Sequence, residues 1–157
     1  MPELPLFEIR PYRASDLDEV IELFVRSVRE IASMDYTQPQ IKAWAKVDRA
    51  EWEQARMSRP TWVAIKDGQI AGFIDLQSNG LIDMLFVHPE FQRQGVATAL
   101  LARVEAEAGE ADMPVLHTYS SLTAQTFFEI SGFTLLLARS VVVRGERFVQ
   151  CVMEKRL

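Results

Sequence analysis

A nearly unbroken apolar strand that runs through a proline turn into a glycine-containing helix start constrains this chain most. Residues 81–87 are apolar apart from Asp83, which is typical of a central strand covered on both faces. A turn at Pro89 follows, and residues 94–109 then repeat apolar side chains at helical spacing up to Gly109. A buried strand followed by a helix predicts a βαβ unit within a sheet that is covered by helices.

The segments on either side of this unit alternate in pattern between helix and strand. In chain order the sequence predicts strand 6–10, helix 16–31, one or two helices over 40–56, strands 61–66, 69–76 and 81–87, helix 94–109, strand 114–119, helix 122–130, and strands 133–143 and 146–154. The order β-α-α-β-β-β-α-β-α-β-β predicts an α/β fold. In it, antiparallel hairpins flank the central unit in a mixed sheet, with helices on both faces.

Size and charge exclude several classes of protein. At 157 residues the chain fits one domain, predicted over 1–157. A formal net charge of −5 repels polyanions, so no nucleic-acid partner is expected. No stretch approaches the roughly 20 apolar residues that span a bilayer, so no membrane partner is expected either. The first ten residues lack a signal-peptide pattern and Cys151 is expected as a buried structural thiol, which together predict a cytoplasmic protein.

The start of the helix after the proline turn has the properties of an anion site. Its first backbone N–H groups, over residues 92–98, point outward at the positive end of the helix dipole and suit a diphosphate. Gly95 and Ala97 leave those amides uncovered, and Arg93 adds positive charge. The alternative is that Gly95 is only a cap or packing glycine. The loop has neither the lysine of a nucleotide P-loop nor the three-glycine spacing of a dinucleotide fingerprint.

At this loop the sequence resembles a known family. Gln92-Arg93-Gln94-Gly95-Val96-Ala97 is similar to the coenzyme A loop of the GNAT N-acetyltransferases: Gln or Arg, two residues, Gly, one residue, then Gly or Ala. The preceding Leu85-Phe86-Val87 looks like the strand that enters this loop in the family. Residues 124–133 resemble its second motif, in which an alanine precedes an aromatic pair and a final Gly-Phe. The resemblance covers residues 6–154.

The resemblance implies a GNAT-like acyl-CoA N-acyltransferase fold. In it the strand that ends at Leu85–Val87 splays from the strand near Leu116–Ser120, and pantetheine lies in the gap. It implies acetyl-CoA as co-substrate and direct attack by a primary amine of a small molecule, peptide or protein in a ternary complex. A homodimer is a further expectation. The residues that it assigns to the coenzyme are Leu85, Phe86, Val87, Gln92, Arg93, Gln94, Gly95, Val96, Ala97, Thr98, Ser121 and Phe128.

Two residues are candidates for proton transfer. Asp83 is the ionisable group in an apolar strand and is the candidate base, acting directly or through water. Its alternative role is a structural acid bonded to backbone or to an arginine. Many relatives have a tyrosine as proton donor where this chain has Phe128, so Tyr119 becomes the candidate acid. Water, or a Tyr119 that only packs, is the alternative.

The acceptor region is predicted from aromatic residues in the first helices. Tyr36 and Trp44 are the candidate substrate-binding residues, by cation–π contact with an amine, and core packing is the alternative for Trp44 and Trp52. His88 and His117 lack metal-ligand spacing, so no metal site is predicted. An enzyme is the leading hypothesis, followed by a non-catalytic acyl-CoA-binding sensor, because of Phe128, and by a protein-interaction domain.

Overall fold

The computed structural model describes residues 7–157, so Leu6, at the start of the predicted first strand, lies outside the described residues. The strands are β1 Glu8–Pro11, β2 Thr61–Lys66, β3 Gln69–Asp75, β4 Leu81–Ile82, β5 Leu85–Val87, β6 Val115–Ser120, β7 Thr134–Val143 and β8 Glu146–Arg156. The helices are α1 Leu17–Glu30, α2 Gln38–Trp44, α3 Arg49–Ser58, α4 Val96–Glu110 and α5 Gln125–Ile130. Short 3₁₀ turns cover Ala14–Asp16, Ala32–Met34 and Pro89–Phe91.

The strands form two four-stranded sheets, which confirms the α/β class. The first sheet has the order β1-β2-β3-β5 and is antiparallel throughout. The second has the order β4-β6-β8-β7, in which β4 and β6 are parallel and the other pairs are antiparallel. The parallel pair with α4 between its strands is the predicted βαβ unit, and the two long hairpins flank it.

The segment 81–87, predicted as a single strand, is two short strands that belong to different sheets. The chain pairs with β6 at Leu81–Ile82, breaks at Asp83, and then pairs with β3 at Leu85–Val87. The physical reason is a carboxylate at the end of β3: Asp75, which is fully buried, accepts hydrogen bonds from the amides of Asp83 (2.8 Å) and Met84 (2.9 Å). Because a side chain satisfies these amides, the chain can leave one sheet for the other without orphaned backbone groups.

Helices cover both faces of the first sheet. Alternate side chains of β2 and β3 face opposite ways, so Val63 and Phe73 pack under α1 to α3 while Ala64 and Ile74 pack under α4. The predicted inward face of α4 is confirmed, because Val96, Leu100, Leu101 and Val104 are all buried.

The helix boundaries differ from those predicted by a few residues. Helix α4 continues through Gly109, which was expected to end it, and α5 begins at Gln125 rather than at Leu122. The predicted helical segment 40–56 is two helices, α2 and α3, with a break after Trp44.

Among residues 7–157, no helix has both the length and the apolar character needed to cross a membrane.

Candidate active site

The change of sheet opens a gap between β5 and β6. At its closed end, Leu81 and Ile82 are in register with His117 and Thr118, and the Thr118 hydroxyl donates a hydrogen bond to the Ile82 carbonyl at 2.8 Å. Beyond the break the chain pairs with β3 instead, so β5 diverges from β6. This is the splayed arrangement that the family resemblance implied.

The backbone of β5 offers hydrogen-bonding groups to this gap. The Met84 carbonyl accepts a hydrogen bond from the Asp75 amide at 3.1 Å, and the His88 amide donates to the Ala71 carbonyl at 2.8 Å. In an antiparallel pair, alternate residues direct both backbone groups to the same neighbour. Leu85 and Val87 therefore direct their groups away from β3 and into the gap. The Val87 carbonyl is already bonded by the side-chain amide of Gln92 at 3.0 Å.

The loop after β5 adopts a conformation that turns amides outward. Arg93 has a φ of 60° and Gly95 a φ of 86°, both in the left-handed region that glycine adopts most readily. The hydrogen bond from the Ala99 amide to the Gly95 carbonyl (3.0 Å) starts the ladder of α4, so the amides of residues 96–98 precede it. A Cβ on Gly95 would have Phe7 as its nearest neighbour, at 4.0 Å, so the space over the loop is open.

Two adjoining cavities occupy the gap. The first, called the loop cavity, has a volume of about 290 Å³ and lies between the 92–98 loop, α1, β5 and the start of α5. The second, called the aromatic cavity, has a volume of about 330 Å³ and lies between α1 to α3, β6 and the β7–β8 hairpin. The residues that line both are Trp44, Leu85, Phe86, Ser121 and Ala124. The cavities therefore meet where the two sheets separate.

Most of the residues predicted to bind the coenzyme line the loop cavity, and two of them do not. Ten of the twelve line the loop cavity: Leu85, Phe86, Val87, Gln92, Arg93, Gly95, Val96, Ala97, Thr98 and Ser121. Phe128 is buried and lines the aromatic cavity instead. Gln94 points elsewhere, because its side chain accepts a hydrogen bond from the Lys66 ammonium and donates one to the Glu90 carbonyl.

Asp83 lines the aromatic cavity and takes part in an ion pair. Its carboxylate accepts a hydrogen bond from Arg59 at 3.0 Å, and 42% of the side chain is exposed. The pKa of Asp83 is raised, first because partial burial penalises the charged form and then because the negative charge of Asp75 lies nearby. The cations Arg59 and Arg56 oppose this rise. The alternative role predicted for Asp83 from the sequence is that of a structural acid bonded to an arginine. The structure shows that pairing, and the same carboxylate also lines the cavity.

The two candidate tyrosines both line the aromatic cavity, in different settings. Tyr119 is 40% exposed, and the guanidinium carbon of Arg139 lies 4.4 Å from the centre of its ring. The Tyr36 hydroxyl oxygen accepts a hydrogen bond from the Leu122 amide at 2.8 Å, next to Ser121, which lines both cavities. Burial raises the pKa of Tyr36, so its phenol stays protonated well above neutral pH.

Aromatic rings form one continuous wall of the aromatic cavity. Tyr36 lies 5.3 Å from Trp44 and 5.8 Å from Phe148, and Trp44 lies 6.1 Å from Phe86, measured between ring centres. Trp52 is buried and packs against Phe24, so its ring belongs to the core as well as to this wall.

Sequence reasoning missed four charged groups beside these cavities. Asp75 and Arg56 form a buried pair at 2.9 Å under the strand break. An acidic residue that ends the apolar run of residues 70–74 was a signal for this pair, because a buried carboxylate needs partners. Lys46 and Arg144 line the aromatic cavity from two connecting segments that lie far apart in the sequence, and no local pattern could have brought them together.

Among residues 7–157, no group of three His, Cys, Asp or Glu side chains is arranged to hold a metal ion.

Comparison with known proteins agrees with this geometry. A family model described as an acetyltransferase (GNAT) domain matches residues 32–157. An uncharacterized N-acetyltransferase of Escherichia coli K12, YafP, is 38% identical over 146 residues, which cover 93% of each chain.

Solved structures share the architecture over nearly the whole chain. A GCN5-related N-acetyltransferase from Rhodopseudomonas palustris is similar with a TM-score of 0.95 and 29% identity, covering 100% of this chain and 99% of that one. The yncA protein of Salmonella typhimurium, solved with its cofactor acetyl-CoA, has the same fold at 20% identity and a TM-score of 0.71, covering 96% and 94%. The chain belongs to the GNAT family of N-acetyltransferases.

Proposed function

We propose that this protein transfers the acetyl group of acetyl-CoA to a primary amine, by direct attack of the amine on the thioester while both substrates are bound. The observation that carries the proposal is the junction of the two cavities along Leu85, Phe86 and Ser121. A thioester that enters from the loop cavity meets an amine held in the aromatic cavity at this junction. Such positioning lowers the barrier to reaction because both reactants are already oriented.

The loop cavity suits the coenzyme in charge and shape. Outward amides over residues 96–98, with Arg93 beside them, can hold a diphosphate at the positive end of α4. The backbone groups of Leu85 and the amide of Val87, which point away from β3, can bond the amide groups of pantetheine as a neighbouring strand would. Acetyl-CoA supplies the activated acyl group, and these residues hold and orient it.

Asp83 is proposed as the group that removes a proton from the substrate ammonium. Its carboxylate faces the aromatic cavity, and its raised pKa makes it a better proton acceptor than an ordinary aspartate. Arg59 favours its ionised form and pairs with it at 3.0 Å, which fixes its position. A bridging water can carry the proton where the ammonium and the carboxylate are not in direct contact.

A phenol is proposed to return a proton to the leaving thiolate. We favour Tyr36, because its oxygen accepts a hydrogen bond from the Leu122 amide and its own proton is therefore left to donate. It also borders Ser121 at the junction of the cavities. Tyr119, the residue predicted from the sequence, is the second candidate.

The experiment that tests the function is release of free thiol from acetyl-CoA in the presence of pooled primary amines, run beside calorimetric titration with coenzyme A. The proposal expects coenzyme binding and amine-dependent thiol release. A non-catalytic acyl-CoA sensor is the second candidate, favoured by the buried phenyl ring of Phe128 where many relatives have a tyrosine. Binding without turnover across a broad panel of amines would favour the sensor, and absence of binding would exclude both.

A further inference from the structure

We infer that the acceptor is a small amine with an aromatic or similarly planar apolar body and a carboxylate group, as in an aromatic amino acid. This inference depends on the proposed function and specifies its substrate class. It follows from the composition of the aromatic cavity and from the charges at its edge.

The body of the acceptor is indicated by the rings that surround it. Eight of the twenty-one described residues that line the cavity are aromatic, whereas aromatic residues make up 10% of the chain. At about 330 Å³ the cavity is at the lower end of the sizes that hold small ligands. Rings that pack tilted or edge-to-face, with centres 5 to 6 Å apart, form a continuous apolar wall against which a planar apolar group can lie.

The carboxylate is indicated by two cations without anionic partners. Lys46 and Arg144 line the cavity, and the ion pairs found within residues 7–157 include neither of them. Asp83, the remaining charged group among the described lining residues, already has Arg59 as its partner at 3.0 Å. An acceptor that presents its ammonium to Asp83 therefore leaves two positive charges at the edge of the cavity. A carboxylate on the same molecule would satisfy them.

The edge that carries these cations is held in place. Arg144 lies in the β7–β8 turn and donates a hydrogen bond to the Ala43 carbonyl in α2 at 2.8 Å. The side chain of Gln40, also in α2, donates to the Arg147 carbonyl at 2.7 Å. These two bonds tie the hairpin to the helix that precedes Lys46. The Arg144 guanidinium and the turn that carries it are thus positioned before a ligand arrives, which lowers the entropy lost on binding.

The same charges exclude other common acceptors. A polyamine would bring a second ammonium group into the cavity that Lys46 and Arg144 line, and like charges repel. An aminoglycoside or a lysine-rich peptide meets the same repulsion. A neutral aromatic amine would fill the cavity but leave both cations without an ionic partner.

Matched pairs of amines test this substrate class. The pairs are phenylalanine and phenethylamine, tryptophan and tryptamine, and aminomethylbenzoate and benzylamine, with spermidine added as a polyamine. In the preferred pair, kcat/KM for the carboxylate member should exceed that of its partner by about tenfold, the factor that one charged hydrogen bond supplies. Spermidine should be the poorest acceptor.

Three variants assign the preference to the two cations. Lys46→Gln and Arg144→Asn should each lower the ratio of kcat/KM between the two members of the pair from about tenfold toward unity. Asparagine suits the left-handed backbone of Arg144, whose φ is 46°. Lys42→Gln is the control, because Lys42 is exposed on α2 and does not line either cavity. It should leave the ratio unchanged. Titration with coenzyme A checks that each variant is folded.

Distinct results would overturn the inference and the proposed function. Equal or better turnover of the neutral amines or of spermidine would overturn the substrate class and leave the acetyltransferase proposal intact. An unchanged ratio in both cation variants would overturn the assignment to Lys46 and Arg144. Coenzyme binding without thiol release on any amine would overturn the proposed function and the inference with it.

Discussion

The carboxylate of Asp75 lies 2.9 Å from the amide nitrogen of Met84, at the residue where the chain passes from one sheet to the other. The same oxygen accepts the amide of Asp83 at 2.8 Å, and the second oxygen pairs with the buried Arg56 at 2.9 Å. One ion pair thus supports the break in the strand and, through it, the gap that contains both cavities. The base candidate Asp83 owes its position, and part of its raised pKa, to this neighbour.

We expect Asp75→Asn to destabilise the protein by about 3–5 kcal/mol, because it leaves Arg56 as a buried charge without a counter-ion. Chemical denaturation monitored by tryptophan fluorescence measures the change. Asp18→Asn is the control, since Asp18 pairs with Arg49 where both side chains are more than half exposed and such a pair contributes less than about 1 kcal/mol. A loss at Asp75 no larger than that at Asp18 would contradict the structural role of the pair.

The sequence predicted most of the fold because most elements carry their own local signal. The apolar periodicity of α4 and the hairpin turns at Asp67-Gly68 and Arg144-Gly145 locate those elements within a few residues. The break at Asp83 has no such signal. It depends on hydrogen bonds that the amides of Asp83 and Met84 donate to Asp75, a residue of the preceding strand. A pattern confined to one segment does not contain these bonds.

The candidate site was predictable to a similar degree. The loop around Gly95 is continuous in sequence, so its spacing alone is enough to predict an anion site there. The aromatic cavity is assembled from distant segments, and the edge formed by Lys46 and Arg144 exists only after the β7–β8 hairpin has docked on α2. The structure is therefore needed to recognise residues whose roles depend on such docking, because no local sequence pattern indicates them.

We expect Gly95→Ala to weaken coenzyme A binding by more than tenfold, because a methyl group and a strained backbone alter the amides of the loop. Gly68→Ala is the control for strain alone, since Gly68 also has a positive φ (74°) and no atom lies within 4 Å of the position that its added methyl group would take. Both changes should cost about 1–2 kcal/mol in unfolding free energy. Calorimetric titration should show weaker binding for Gly95→Ala only, and equal affinity in the two variants would argue against the loop as the coenzyme site.

We expect Arg59→Gln to move the acidic limb of the kcat/KM profile to higher pH. Asp83 must be ionised to accept a proton, and its pKa is already raised by burial and by Asp75. Arg59 lowers that pKa, so removing its charge lets the pKa rise further and delays ionisation until a higher pH. The profile is measured with one acceptor in both proteins, so the titration of the amine itself is the same in each.

Two further variants complete the test of Asp83. Arg49→Gln removes an exposed arginine at the start of α3, the helix that ends just before Arg59, and should leave the limb in place. Asp83→Asn should abolish the limb and lower kcat/KM by about 10²- to 10⁴-fold, the usual contribution of a general base. A limb that stays fixed in Arg59→Gln would show that another group, or the acceptor alone, sets it.

The three tyrosines of the chain allow a complete comparison of the proton donor. We expect Tyr36→Phe to lower kcat by about 10²- to 10⁴-fold and to remove the basic limb of the kcat profile, because the proton for the leaving thiolate is lost. A merely structural role, such as support of the Leu122 amide, would change stability and KM but would leave that limb in place. Tyr119→Phe should have a smaller effect, because Tyr119 is more exposed and lies against Arg139. Tyr12→Phe is the control, since Tyr12 lines neither cavity. A larger loss in Tyr119→Phe than in Tyr36→Phe would return the role to Tyr119, and full activity in both would assign the proton to water.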